Sequence, residues 1–206
     1  MEAVSKIQNG LTWAVASAPM KGFATSGDSY LVHTFQGGAL VAGIDGLGHG
    51  EEAAEAARLA VDAILEAPTD PVMMILKRCH DRLVGKPRGV VMTLACFNKR
   101  ERTVTCAGVG NVEAMLFRAD PQSVPPHESL ILRRGVIGAR IPSLHASILS
   151  VNPGDTLILL TDGIRRGFEA GLRLGDSPHE IADSILAKHA SGGDDALVLV
   201  VRCGEL

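Results

Sequence analysis

Aromatic residues make up only 3% of the 206-residue chain, so its core must be packed mainly by Val, Leu, Ile and Ala. Cysteine is scarce too: Cys79, Cys96, Cys106 and Cys203 are scattered, with no CxxC pair. That excludes a disulfide framework or a structural zinc site and predicts reduced, mostly buried thiols in a cytoplasm. Seven histidines include no HExxH pair. No run approaches the ~18 apolar residues of a membrane span. Met1 to Asn9 is polar and lacks a basic region leading into an apolar stretch, so no signal peptide is expected. Charge of one sign is missing as well. Lys+Arg 20 against Asp+Glu 23 leaves −3, which gives no electrostatic footprint for a nucleic-acid backbone. At 46% hydrophobic and 21% charged, the chain is globular and not disordered.

What it does have is glycine, 23 residues against a usual share of ~7%, and hence many tight turns. Leu11–Ser17 and Tyr30–Phe35 read as strands, and the apolar run Ala39–Ile44 reads as a strand buried on both faces. From Glu51 to Glu66 the period becomes helical, with Ala53, Ala54, Ala57, Val61, Ile64 and Leu65 on one side. A second helix, Pro71–Val84, turns Val72, Ile75, Leu76, Cys79 and Leu83 inward. Gly89–Phe97, Thr103–Val109 and Val112–Arg118 are separated by turns, the second at Gly110-Asn111, and predict an antiparallel meander. Ala119–Glu128, with three prolines, is a loop. Leu130–Arg133, Ala146–Val151 and Thr156–Thr161 read as further strands, Pro178–His189 as a helix and Ala196–Val201 as a closing strand. This order lacks βαβ alternation and predicts an α+β fold with largely antiparallel sheets, in one domain over residues 1–206.

The informative feature is where the acids fall. Gly27-Asp28, Asp45-Gly46, Asp162-Gly163 and Gly193-Asp194-Asp195 each sit at an end of an apolar strand candidate. Any one of them is ordinary turn chemistry. Four together are different, because strand ends in a sheet converge. Carboxylates within a few ångströms of each other raise one another's pKa unless a cation neutralises them. Carboxylate, carbonyl and water oxygens suit Mg²⁺ or Mn²⁺, and two such ions can share a water, lower its pKa and clamp a phosphoryl group. The pattern predicts metal-assisted phosphoester hydrolysis.

Asp45-Gly46-Leu47-Gly48-His49-Gly50, Thr161-Asp162-Gly163 and Asp194-Asp195 before a terminal apolar strand resemble the metal-dependent protein serine/threonine phosphatases. Within them the chain is most similar to the bacterial branch of SpoIIE, RsbU and RsbX. Its short length, with no sensory domain attached, looks most like the stressosome feedback phosphatase of that branch. The resemblance runs from about Gly27 to Val201. It implies a four-layer α/β-β/α sandwich of two antiparallel sheets flanked by helices, with two ions, Mn²⁺ or Mg²⁺, in a cleft at one edge. It implies that Asp45 bridges the ions, the Gly46 carbonyl ligates one, Asp162 and Asp194 ligate the second, and Asp28 positions metal-bound water. Asp195 stands where eukaryotic members often have Asn, and Asn111 is a candidate contact from a central strand near the cleft. The implied substrates are phosphorylated STAS-domain proteins of a stressosome. A cytoplasmic monomer binding neither nucleic acid nor membrane is expected.

Two positions depart from the eukaryotic pattern. Leu47 replaces the histidine proposed there as general acid, leaving His49 as a candidate acid or as a helix cap. Phe23 stands near the place of a phosphate-binding arginine, with Lys21 a weak substitute. Bacterial relatives share both departures. Two rivals fare worse. Gly46-Leu47-Gly48-His49-Gly50 lacks the last glycine of GxGxxG, and its acids would repel a pyrophosphate. A binding module with a degraded site would not be expected to keep every implied metal ligand.

Overall fold

The computed structural model describes residues 6–8 and 10–204. In chain order the strands and helices are β1 (Lys6–Gln8), β2 (Leu11–Ala18), β3 (Asp28–Phe35), β4 (Gly38–Gly46), α1 (Glu51–Leu65), α2 (Val72–Leu83), β5 (Val90–Asn98), β6 (Thr103–Val109), β7 (Glu113–Phe117), β8 (His127–Ser129), β9 (Ser147–Ser150), β10 (Thr156–Leu160), α3 (Pro178–His189) and β11 (Ala196–Cys203). A 3-10 turn spans Phe168–Gly171. One sheet has the order β3-β4-β5-β6-β9 and the other β1-β2-β11-β10-β7-β8, with every pairing antiparallel.

The two-residue period of a strand explains the layering. Along β4, Leu40, Ala42 and Ile44 face α1 and α2, while Ala39 and Val41 face the other sheet. Along β11, Leu197, Leu199 and Val201 point to the same inter-sheet core, while Ala196, Val198 and Val200 point to α3. Both strands are apolar without alternation because each face is covered. Four layers result: α1 and α2, the five-stranded sheet, the six-stranded sheet, and α3. No helix among the described residues is long and apolar enough to cross a membrane.

The elements expected from sequence recur with shifts of a residue or two, with four corrections. On α1 the buried face is Ala53, Ala56, Ala57, Ala60, Ala63 and Ile64, while Leu65 is 43% exposed. A stripe of alanines lets the helix backbone approach the sheet, which a face of larger residues would prevent. Leu130–Arg133 is not a strand, and the nearby pairing is instead β8. The polar start contributes β1, an edge strand the hydropathy pattern did not reveal. The expected three-stranded meander breaks after two strands, because β7 crosses to the other sheet.

That crossing turns on Gly110, whose φ is +102. A Cβ there would lie 2.2 Å from the Val91 side chain. Only glycine fits both the left-handed backbone and the contact with β5. Gly110→Ala is therefore expected to cost about 3 kcal/mol, strain and overlap together. Gly37→Ala, at φ +90 with open space around it, should cost only about 1 kcal/mol. Urea denaturation of the two variants would show equal losses if the Val91 contact were unimportant.

Candidate active site

The acids reach one place from two sheets. Asp28 opens β3 and stands directly opposite Asp45 near the end of β4. Asp162 follows β10, and Asp194-Asp195 lead into β11, its antiparallel neighbour. Three glycines allow the close backbone approaches that hold them. A Cβ on Gly46 would lie 2.1 Å from the Ala53 carbonyl oxygen in the first turn of α1. One on Gly27 would lie 2.7 Å from the Ala53 Cβ, and one on Gly163 would lie 1.9 Å from the Asp195 carbonyl oxygen. The Asp-Gly pairs therefore combine an acid at a strand end with a gap through which the next element passes.

Hydrogen bonds across the sheets fix the side chains. Thr161 donates its hydroxyl to Asp28 Oδ2 at 2.6 Å and accepts the Leu197 N–H at 2.8 Å, tying β3 to β11. Asn111 donates to Asp162 Oδ2 at 2.7 Å. It does so from the β6–β7 corner and not from a central strand. Asp195 is 3% exposed, and its two oxygens accept the Met20 and Gly27 N–H groups, each at 2.7 Å. It anchors the segment entering β3, whereas Asp194 beside it is exposed and accepts only the Asp195 N–H at 2.9 Å. Among the described residues no three Asp, Glu, His or Cys side chains already close on a single point. The acids are neighbours around a common space and not a finished ligand shell.

The electrostatics make that space unusual. Burial first, then repulsion by Asp195, Asp162 and Asp194, push the Asp28 carboxyl up to about 7 against the lowering effect of the Thr161 hydroxyl. Burial, then Asp28, Asp162, Asp194 and Asp195, push Asp45 up to about 8. Asp162 is raised by burial and by Asp194, with the Asn111 amide opposing. Every charge acting on these three acids is negative. Among the described residues no lysine or arginine offsets them.

The remaining candidates fall at or beyond the rim. His49 is exposed and packs on Phe23, ring centroids 4.2 Å apart. It does not cap α1, whose N-cap is Gly50 with no side-chain bond. Burial pushes the Cys79, Cys106 and Cys203 thiols to about 12 and raises Cys96 as well, so none supplies a thiolate nucleophile. Thr161, directly after β10, enters the sequence reading only as the neighbour of Asp162, although it holds Asp28.

A family model for stage II sporulation protein E (SpoIIE) matches residues 36–204. The chain belongs to the SpoIIE family. One relative in it is the phosphoserine phosphatase RsbX of Bacillus subtilis (strain 168), 26% identical over 176 residues, which are 85% of this chain and 86% of RsbX. A chain solved in work on the bacterial stressosome, as a modular system adapted to control secondary-messenger signalling, is 27% identical with a TM-score of 0.84. That match covers 93% of this chain and 99% of the other. RsbX in complex with magnesium superposes with a TM-score of 0.85 at 23% identity, covering 98% and 100% of the two chains. The four-layer sandwich expected from the sequence is thus the fold this SpoIIE-family chain shares with the metal-dependent phosphatases.

The raised carboxyls set a pH dependence. Folded Asp28 and Asp45 hold protons up to about 7 and about 8, whereas unfolded aspartate releases its proton near 3.8. Between those limits the folded state binds more protons, so the metal-free protein should lose stability as pH rises from about 4 to about 8. A divalent cation favours the ionised form and should flatten the curve. Thermal melting across that range, in chelator and in Mg²⁺, is the measurement. A chelated protein whose melting temperature rises with pH would contradict the electrostatics.

Proposed function

We propose that this chain is a Mg²⁺- or Mn²⁺-dependent phosphoserine/phosphothreonine protein phosphatase, one domain over its whole length. In this reading it acts as a cytoplasmic monomer on phosphorylated STAS-domain proteins of a stressosome. The observation that carries the reading is the cluster of Asp28, Asp45, Asp162 and Asp194, on which no cation among the described residues acts. Such a cluster calls for hard divalent cations, and its all-oxygen donor set fits them. Similarity to the phosphoserine phosphatase RsbX, and to RsbX holding magnesium, supports the same reading.

Asp45, the Gly46 carbonyl, Asp162 and Asp194 would hold the ions, with Asp28 beside them. When bound, the ions supply the Lewis acidity that activates water and offsets phosphoryl charge. The chain supplies the rest. Thr161 orients Asp28 through its 2.6 Å bond, leaving the other carboxylate oxygen to accept a proton from an attacking water. Asn111 turns Asp162 in the same way. Asp195, with both oxygens engaged by backbone amides, sets the approach of β3 and does not reach a ligand. No covalent enzyme intermediate is required, since the thiols are buried and protonated.

With millimolar Mn²⁺ the protein should hydrolyse p-nitrophenyl phosphate and release label from phosphorylated STAS-domain proteins. Asp45→Ala and Asp162→Ala should abolish both activities. Asn111→Ala should weaken metal affinity about 10- to 100-fold, the usual cost of losing a residue that orients a metal ligand. Cys96→Ala should leave the rate nearly unchanged. Hydrolysis that survived Asp45→Ala, or that was lost with Cys96→Ala, would exclude the mechanism. Retained label on the STAS-domain proteins alone would exclude the substrate.

A further inference from the structure

Between β8 and β9 the chain runs from Leu130 to Ala146 without regular secondary structure apart from isolated bridges. A connection this long in a compact domain is uncommon and usually has a function. This one is firmly held. The Gly110 N–H donates to the Arg133 carbonyl at 2.8 Å. Ile137 exchanges both backbone bonds with Val90, at 3.0 and 2.9 Å, and is itself fully buried beside α1, α2 and the five-stranded sheet. Val136 and Arg140 bond each other, and the Gly138 N–H donates to His80 Nδ1 at 3.0 Å. The segment is a fixed strap that takes the place β6 vacates at its corner.

Its charge is one-sided. No Asp or Glu occurs from Ser129 to Gly154 in a chain that has 23 of them, while the strap carries Arg133, Arg134 and Arg140. All three are exposed. Among the described residues none of them enters an ion pair, whereas Arg58, Arg78, Arg82, Arg88 and Arg118 all do. Three unpaired cations are thus collected on one rigid connection.

The sheet register gives the distance of the Arg133 backbone from Asp45. Asp45 on β4 pairs with Val91 on β5, Gly110 packs on Val91, and Arg133 lies next along. Three strand spacings of about 4.8 Å make roughly 14 Å, the span of about four residues of extended peptide at ~3.3 Å each. Asn111, which holds Asp162, adjoins the same contact.

We propose that the strap of Arg133, Arg134 and Arg140 is a docking surface for the phosphoprotein substrate. It selects acidic residues about three to five positions from the phosphorylated one. The proposal rests on the phosphatase reading above. Its physical basis is charge complementarity: an exposed basic surface beside the centre attracts an anionic protein and sets its register.

The test compares wild type with the triple variant R133S/R134S/R140S, and with Arg100→Ser in the β5–β6 turn at the far end of the sheet. Two phosphoserine peptides are used, identical except for glutamates or glutamines three to five positions away on both sides. Three exposed charge pairs of ordinary strength change affinity by about tenfold. Wild type and Arg100→Ser should therefore favour the glutamate peptide about tenfold in kcat/KM, less so at high salt. The triple variant should lose that preference while hydrolysing p-nitrophenyl phosphate at the wild-type rate. No preference in wild type, or an undiminished one in the triple variant, overturns the proposal. Absence of all hydrolysis by wild type would count against the phosphatase reading instead. Fluorescence anisotropy of the two labelled peptides would then still decide the docking surface, with tighter binding of the glutamate peptide lost in the triple variant supporting it.

Discussion

Bringing several carboxylates together against their mutual repulsion is the constraint around which this molecule is organised. Asp28 and Asp45 are buried deeply enough, and near enough to other acids, to hold their protons to about 7 and about 8. Repelling groups move apart if their supports can move. Here the supports are held, because Asp45, Asp162 and Asp194 sit at the ends of strands whose faces are both covered, Asp28 is paired directly against Asp45, and the gaps between those ends are filled by backbone. The Ala53 carbonyl against Gly46 and the Asp195 carbonyl against Gly163 keep the backbones of these strand ends close together. The free energy stored in that arrangement comes from the three hydrophobic layers behind it.

Different acids meet the constraint differently. Asp195 is nearly inaccessible, yet its two oxygens receive two backbone N–H groups, so it behaves as part of the scaffold. Asp162 and Asp28 each accept one side-chain bond and keep a further oxygen for other use. Asp194, exposed and bonded only to its neighbour's amide, is the freest. The two extremes of this gradient, anchored Asp195 and open Asp194, are adjacent positions of one Asp-Asp pair with opposite roles.

Much of this was legible in the sequence, and the reasons differ by residue. The unbroken apolar runs of β4 and β11 announced strands covered on both sides, and the Gly-flanked acids announced convergent strand ends. The three-residue logic of α2 gave its buried face in full. The face expected for α1 holds at Ala53, Ala57 and Ile64 but not at Ala54, Val61 and Leu65, because alanines recur around most of the helix and periodicity cannot tell which row faces the sheet. The third strand of the apparent meander was assigned to the wrong sheet because Gly110-Asn111 suits a hairpin as well as a corner. Only the Val91 contact, a tertiary fact, separates the two. Thr161 was overlooked for a similar reason, since a threonine at a strand end is ordinary until its partner 133 residues away is known.

The corner at Gly110 also joins the two chemically opposite parts of the surface. By sending β7 to the other sheet it ends β6 early, and the edge of β5 beyond Val91 is left without a partner. The segment after β8 fills that edge through Ile137, and through the Arg133 carbonyl it takes the Gly110 N–H at the end of β6, using backbone bonds alone. Its arginine side chains are consequently not needed for support and remain free, while Asn111 on the same corner is committed to Asp162. A single glycine thus sits at the start of both the residue that aims Asp162 and the contact that holds the backbone of the basic strap, so the backbone separation of the two is set by strand spacing.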